Sequence, residues 1–112
     1  MNDCIFCKII NREIPSTIVY EDDLVIAFED ISAQAPVHTL VVPKKHIKNV
    51  LELEDPQLMA AVFNAIRKVA NIKGVDESGF RLIANTGDAA CQTVKHLHFH
   101  ILGGKQLTEK MD

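Results

Sequence analysis

The sequence has no Trp, one Tyr and five Phe, too few rings for the stacking platform on which single-stranded nucleic acids are read. It has no basic excess either. Its 12 Lys and Arg stand against 15 Asp and Glu, a formal charge of -3, whereas binding a DNA or RNA polymer needs a strongly basic face. A run of about eighteen apolar residues is missing, and Met1-Asn2-Asp3-Cys4 has neither the basic nor the apolar region of a signal peptide, so the expectation is a cytoplasmic protein that neither crosses a membrane nor is exported. Three cysteines, an odd number, are a poor basis for a disulfide framework in such a chain and point to reduced thiols or metal ligation. Repeats, low-complexity tracts and Ser-, Gly- or Pro-rich linkers are absent, so the 112 residues read as one domain, 1–112.

What is present is ordinary globular material, 47% apolar and 24% charged. Residues 4–11 carry apolar side chains at helical spacing and stop before Pro15, which predicts a short helix. Ile18-Val19-Tyr20 and Leu24 to Phe28 are β-prone runs around the turn Glu21-Asp22-Asp23, and Thr39 to Val42 is a third run that ends at Pro43. Asp55 as N-cap, Pro56 at the first helical position and Gly74 beyond the end mark a long helix. Its apolar face holds Leu58, Val62, Phe63, Ile66, Val69 and Ala70. Phe80 to Asn85 and His96 to Leu102 supply a fourth and a fifth strand, with Gly87 and Ala89-Ala90-Cys91 in the turn-rich segment between them. The fold class is therefore α+β, a five-stranded antiparallel sheet covered by one long and one short helix.

The chemistry concentrates in His96-Leu97-His98-Phe99-His100-Ile101-Leu102. Side chains alternate along a strand, so the three histidines project together while Leu97, Phe99 and Ile101 enter the core. Such a row suits two chemistries. Imidazoles at i and i+2 can converge on one Zn²⁺ whose water hydrolyses an ester. Alternatively the middle imidazole, mostly neutral at pH 7, is itself a nucleophile that forms a phosphorus–nitrogen bond later broken by water. Gly103-Gly104 after the run, and Gly87, Gln92 and Thr93 before it, offer small residues, backbone N–H groups and a hydroxyl suited to phosphate oxygens, and favour the second.

The pattern His-apolar-His-apolar-His-apolar-apolar resembles the signature of the histidine triad superfamily, and the likeness runs through most of the chain. Ile9 to Pro15, Glu21-Asp22-Asp23, Ala27-Phe28 with Asp30-Ile31-Ser32, Gln34-Ala35-Pro36 with His38, Pro43 to Ile47, Gly79 with Arg81, Asn85, Gln92 and Leu102-Gly103-Gly104 all resemble its Hint branch, the purine nucleoside phosphoramidases. The resemblance implies that His98 attacks the phosphorus of a nucleoside 5′-phosphoramidate, giving a nucleotidyl-histidine that water hydrolyses to the monophosphate, with no catalytic metal. It implies that His100 contacts the phosphate, that His96 holds its neighbour or binds metal, and that His38 completes a relay orienting the imidazoles. In the same way Asp30 takes the ribose hydroxyls, Ile31 lies beside the sugar, Phe28 and Leu40 wall the base, Asn85 contacts ribose or phosphate, and Thr93 stands near the leaving group. A homodimer whose sheet continues across the subunits, and a purine nucleotide such as AMP or GMP as ligand, are implied too. The sequence departs from the family pattern at Cys91, where Gly is common, at Lys95, often aromatic, and in a tail without Trp. A dinucleoside polyphosphate hydrolase and a non-catalytic nucleotide-binding protein are the rival functions.

Cys4-Ile5-Phe6-Cys7 is a single C-x-x-C. With His46 and His96 it has the ligand types of a closed structural zinc site, and bacterial zinc-binding members of the superfamily resemble it in this set. The implied cofactor is one structural Zn²⁺ on Cys4, Cys7, His46 and His96.

Overall fold

The computed structural model describes residues 3–111. Two helices and five strands follow in the order α1 (Ile5–Ile10), β1 (Ile18–Glu21), β2 (Val25–Glu29), β3 (Val37–Pro43), α2 (Pro56–Ile72), β4 (Arg81–Ile83) and β5 (Phe99–Gly103), with single 3₁₀ turns at Val50–Glu52 and Asp88–Ala90. Neither 3₁₀ turn has a sequence signal of its own. The sheet is antiparallel throughout, in the order β1-β2-β3-β5-β4. Among the described residues no helix is long and apolar enough to cross a membrane.

Local chemistry explains the boundaries. The Asp22 carboxylate accepts hydrogen bonds from the N–H groups of Leu24 and Val25 and from the Tyr20 hydroxyl, which closes the β1–β2 hairpin as an Asx turn. Asp55 caps α2, its Oδ1 accepting from the Gln57 N–H at 3.0 Å, and Pro56 fills the first turn. The thiol of Cys4 caps α1 through the Cys7 N–H.

The long apolar runs of β2 and β3 are explained by burial on both faces. On one face Val25, Ala27, Val41, Phe99 and Ile101 meet Leu58, Val62, Ala65, Ile66 and Val69 of α2. On the other, Ile26, Phe28, Leu40 and Val42 meet Phe6 and Ile9 of α1. The second layer buries His96 and His98 beneath α1. Two expectations change. The β5 ladder starts at Phe99 rather than His96, because the preceding residues turn toward the cysteines. Phe63, placed on the core face of α2, is 49% exposed and stands edge-on to Phe99.

The two glycines after the histidine run have packing reasons. A Cβ on Gly103 would lie 2.9 Å from Val75, and Gly104 has φ +84° beside Pro36. Cys91, where the family commonly has Gly, has φ 60°, the left-handed conformation that glycine adopts without strain.

Candidate active site and metal-ligand cluster

Hydrogen bonds along the histidine run fix the protonation of each ring, because each nitrogen either donates or accepts. The Gln34 N–H donates to His38 Nδ1 at 2.9 Å, so that nitrogen is bare and His38 Nε2 carries the proton. His38 Nε2 donates to His100 Nδ1 at 2.9 Å, with Asp30 Oδ2 a second acceptor at 3.3 Å. His100 must then hold its proton on Nε2, and that atom is buried without a partner among the described residues. A buried, unmatched N–H costs about 1–3 kcal/mol, a cost that a site recovers when an incoming acceptor binds it. His98 has the opposite arrangement. Its Nδ1 donates to the His96 carbonyl at 2.7 Å, leaving the lone pair on Nε2.

The ring of His98 is 8% exposed. It lies in the wall of a cleft of about 320 Å³ that Ile5, Phe6, Phe28, Asp30, Ile31, Leu40, Thr93 and His100 also line. Burial holds His98 below the usual histidine range and pushes His100 down to about 4, the latter helped by His98 and His38 beside it. Both rings are neutral at pH 7, so one offers a bare nitrogen and the other an N–H donor within a single cleft. That pair can attack an electrophile and hold an oxygen attached to it.

The sequence-derived residues divide cleanly. Phe28, Asp30, Ile31, Leu40, Thr93, His98 and His100 meet in the cleft. The Ile31 side chain is 97% exposed at its rim, and Phe28 and Leu40 are buried in its floor. Asp30 reaches both His38 and the Ser32 N–H. Asn85 is not in this cleft; it lines a second groove of about 480 Å³, with Gln34, Arg81 and Lys110, which meets the first at His100. Gln92 lies behind the wall. Its amide oxygen accepts from the Gly87 N–H and its nitrogen donates to the carbonyls of Lys48 and Val94, so it shapes the loop instead of lining the cleft. Ile5, Phe6, Ser16, Glu29 and Val94 are lining residues that sequence reasoning missed; Phe6 stands edge-on to His98 at 5.0 Å, and its place between two cysteines was the available signal.

His96 is fully buried and faces away from the cleft. Its Nε2 donates to the Pro43 carbonyl at 2.8 Å, which leaves Nδ1 bare, 3.3 Å from Cys4 Sγ and 3.6 Å from Cys7 Sγ. His46 Nδ1 is 3.2 Å from Cys7 Sγ, and all four donor atoms lie within 4.8 Å of one another. Tetrahedral bonds of 2.0–2.3 Å place ligand atoms about 3.5 Å apart, so this set has the size and the donors for zinc. Pro43 gives His96 the outer hydrogen bond that metal-ligating histidines commonly make. Burial, followed by the nearby Cys4 thiol, pushes the Cys7 thiol up to about 11; a cation is what would hold it as thiolate.

The HIT domain family matches residues 11–107. A purine nucleoside phosphoramidase of Escherichia coli is 48% identical over 107 residues, covering 94% of this chain and 90% of that protein. A 14 kDa zinc-binding protein of Brassica juncea is 44% identical, covering 94% and 96%. The solved structure of a HIT family hydrolase from Clostridium thermocellum superposes with a TM-score of 0.95 at 51% identity, covering 99% and 98% of the two chains. With its histidine run, its five-stranded sheet and a match across nearly its whole length, the chain belongs to the HIT domain family.

Proposed function

We propose that the protein hydrolyses purine nucleoside 5′-phosphoramidates to the nucleoside monophosphate and an amine. The observation that carries this reading is the complementary state of two adjacent rings, a bare Nε2 on His98 and an unmatched N–H on His100. In the first step the His98 lone pair forms a bond to phosphorus while the bond from phosphorus to the amine breaks. The amine leaves with a proton taken from solvent, to which the attacking water of the second step returns one, and the His100 N–H holds a phosphate oxygen as charge builds. In the second step water attacks phosphorus, the phosphorus–histidine bond breaks, and the monophosphate departs with His98 neutral again. The His96 carbonyl stabilises the positive charge on His98 between the steps, since it accepts the Nδ1 proton throughout. Asp30 and His38 orient His100, the His38 N–H donating to its Nδ1 so that its own N–H stays on Nε2.

On this reading Asp30 and Ile31 hold the ribose, Phe28 and Leu40 hold the base, and Thr93 lies near the leaving group. Asn85 reaches the reacting centre from the adjoining groove, on the side of His100 that the groove shares. Cys4, Cys7, His46 and His96 would hold a zinc ion, which would cross-link α1 to the segment leading into β5. The assembly we infer is a homodimer extended through an edge strand; β4 is an edge, and Leu82 on it is 37% exposed. The relatives' names support the substrate class, one being a purine nucleoside phosphoramidase.

The test is to mix enzyme with adenosine 5′-phosphoramidate and quench in alkali. A nucleotidyl adduct on His98 is the expected result, and its absence under rapid quench would favour a metal-activated water. Faster turnover of diadenosine polyphosphates than of phosphoramidates would move the protein to the polyphosphate hydrolases. AMP binding that survives His98→Ala, with no turnover by the unaltered protein, would make it a binding protein.

A further inference from the structure

The four-donor cluster and the cleft share their structural supports. His96 belongs to both: its ring faces the two sulfurs, at 3.3 and 3.6 Å, while its own carbonyl accepts the 2.7 Å hydrogen bond that fixes His98. The two residues between the cysteines, Ile5 and Phe6, line the cleft. The Phe6 ring stands 5.0 Å from His98, 5.5 Å from Phe28 and 5.9 Å from His96. Leu97, between the two histidines, donates its N–H to the carbonyl of Ile47 at 2.8 Å, which ties this stretch to the loop carrying His46.

Other supports are few in number: Phe6 and Ile9 are the buried side chains of α1, and the His96 ring donates to the Pro43 carbonyl. The β5 ladder begins at Phe99, so His96 to His98 have no strand partner. Helix α1 is six residues long, far below the length at which a helix is stable on its own. The four donor atoms therefore share with these contacts the task of positioning His98 and one cleft wall.

We propose that a divalent metal ion in the Cys4–Cys7–His46–His96 site controls nucleotide binding in the neighbouring cleft, with His96 as the positioning residue and Phe6 as the moving wall. Occupancy holds the His96 carbonyl where it locks the His98 tautomer and holds Phe6 against His98 and Phe28. Loss of the ion frees α1, opens the wall and lets the His98 ring exchange its proton between nitrogens. The metal then acts on affinity as well as on stability, and by linkage a bound nucleotide tightens the metal site by the same factor. The inference rests on the nucleotide reading of the cleft.

The experiment compares zinc-loaded protein with protein stripped by a chelator, each shown by a thermal melt to be folded at the assay temperature. Both are titrated with AMP, and imidazole ¹⁵N spectra are recorded before AMP is added. The expected result is an AMP affinity at least tenfold weaker in the stripped protein, restored by zinc and not by magnesium, with His98 signals that pass from a single Nδ1–H tautomer to a mixture. An affinity within twofold of the loaded protein would overturn the proposal. If AMP binds neither form, the nucleotide reading fails, and the ligand-free spectra decide the coupling: shifted His98 signals support it and unmoved ones overturn it. If the stripped protein unfolds, cobalt(II) placed in the site reads the same link in folded protein. Visible bands that shift on adding AMP support the proposal, and bands unchanged at saturation overturn it.

Discussion

The two faces of the sheet are covered by helices of very different reach. On one face α2, 17 residues long, packs on a cluster of apolar side chains whose members back one another up. On the other face α1, with six residues, buries Phe6 and Ile9 against a smaller apolar cluster, and polar contacts fix the histidine rings beside it. A large apolar layer tolerates the loss of one member, because stability there is summed over many contacts. In the thin layer, by contrast, single atoms have no substitute, and that is where the bare and the unmatched imidazole nitrogens are found. Chemistry occupies the face where packing is sparse.

The sharpest way to break this contrast is His98→Ala. Turnover should fall by three orders of magnitude or more, while the thermal midpoint moves little; a variant that keeps a tenth of the activity would remove His98 as nucleophile. Next come matched truncations on the two faces. Phe6→Ala is expected to cost about 3–5 kcal/mol and to weaken AMP binding, whereas Ile66→Ala on the α2 face should cost about 2–5 kcal/mol with AMP affinity unchanged. Urea midpoints and AMP titrations on the two variants decide this, and equal effects on affinity would erase the difference between the faces.

Acid should act through the thin face. His100 is held at about 4, and burial lowers His96 and His98 as well, so between pH 6.5 and 4 the unfolded chain binds protons that the folded chain does not. Stability therefore drops as the pH falls through that window, by roughly 2 kcal/mol from His100 once partial exposure is allowed for. Denaturation at pH 4.5 and 7 checks the sign, and His100→Asn should flatten part of the slope; an unchanged slope would assign it to other groups. The smallest effect belongs to Phe63→Ala. That ring is half-exposed, so less than about 1 kcal/mol is expected, and a larger loss in the thermal midpoint would mean the face is covered in solution.

Much of the architecture was readable from residue patterns. Asp55-Pro56 marked the start of α2, the turn residues around Asp22 placed the first hairpin, and Thr39 to Val42 lies within β3. Each of these signals is local. Periodicity misjudged Phe63 because helical spacing identifies a stripe, while burial depends on how far the sheet beneath it extends. The histidine run was recognised, yet its strand was begun three residues early, since the bond from Leu97 to Ile47 and the pull of His96 toward the cysteines are long-range. The site was legible as a set of side chains. The carbonyls of His96 and Pro43 and the N–H of Gln34 were not, although they decide which nitrogen of each ring is bare. Backbone groups are the same in every residue and leave no mark on the alphabet. Gln92 was misread for a related reason: an amide is as suited to a loop's carbonyls as to a phosphate.

Cys4 and His96 are 92 positions apart, a separation with a consequence for biosynthesis. On the ribosome α1 emerges with two thiols and no partner for them, while β2, β3 and α2 can already assemble around their own apolar residues. Only when the segment that follows Lys95 has left the exit tunnel can the loop between the two ends close. The two cysteines are made well before the histidine that secures them, and until then a nascent chain offers them to any oxidant or stray ion it meets.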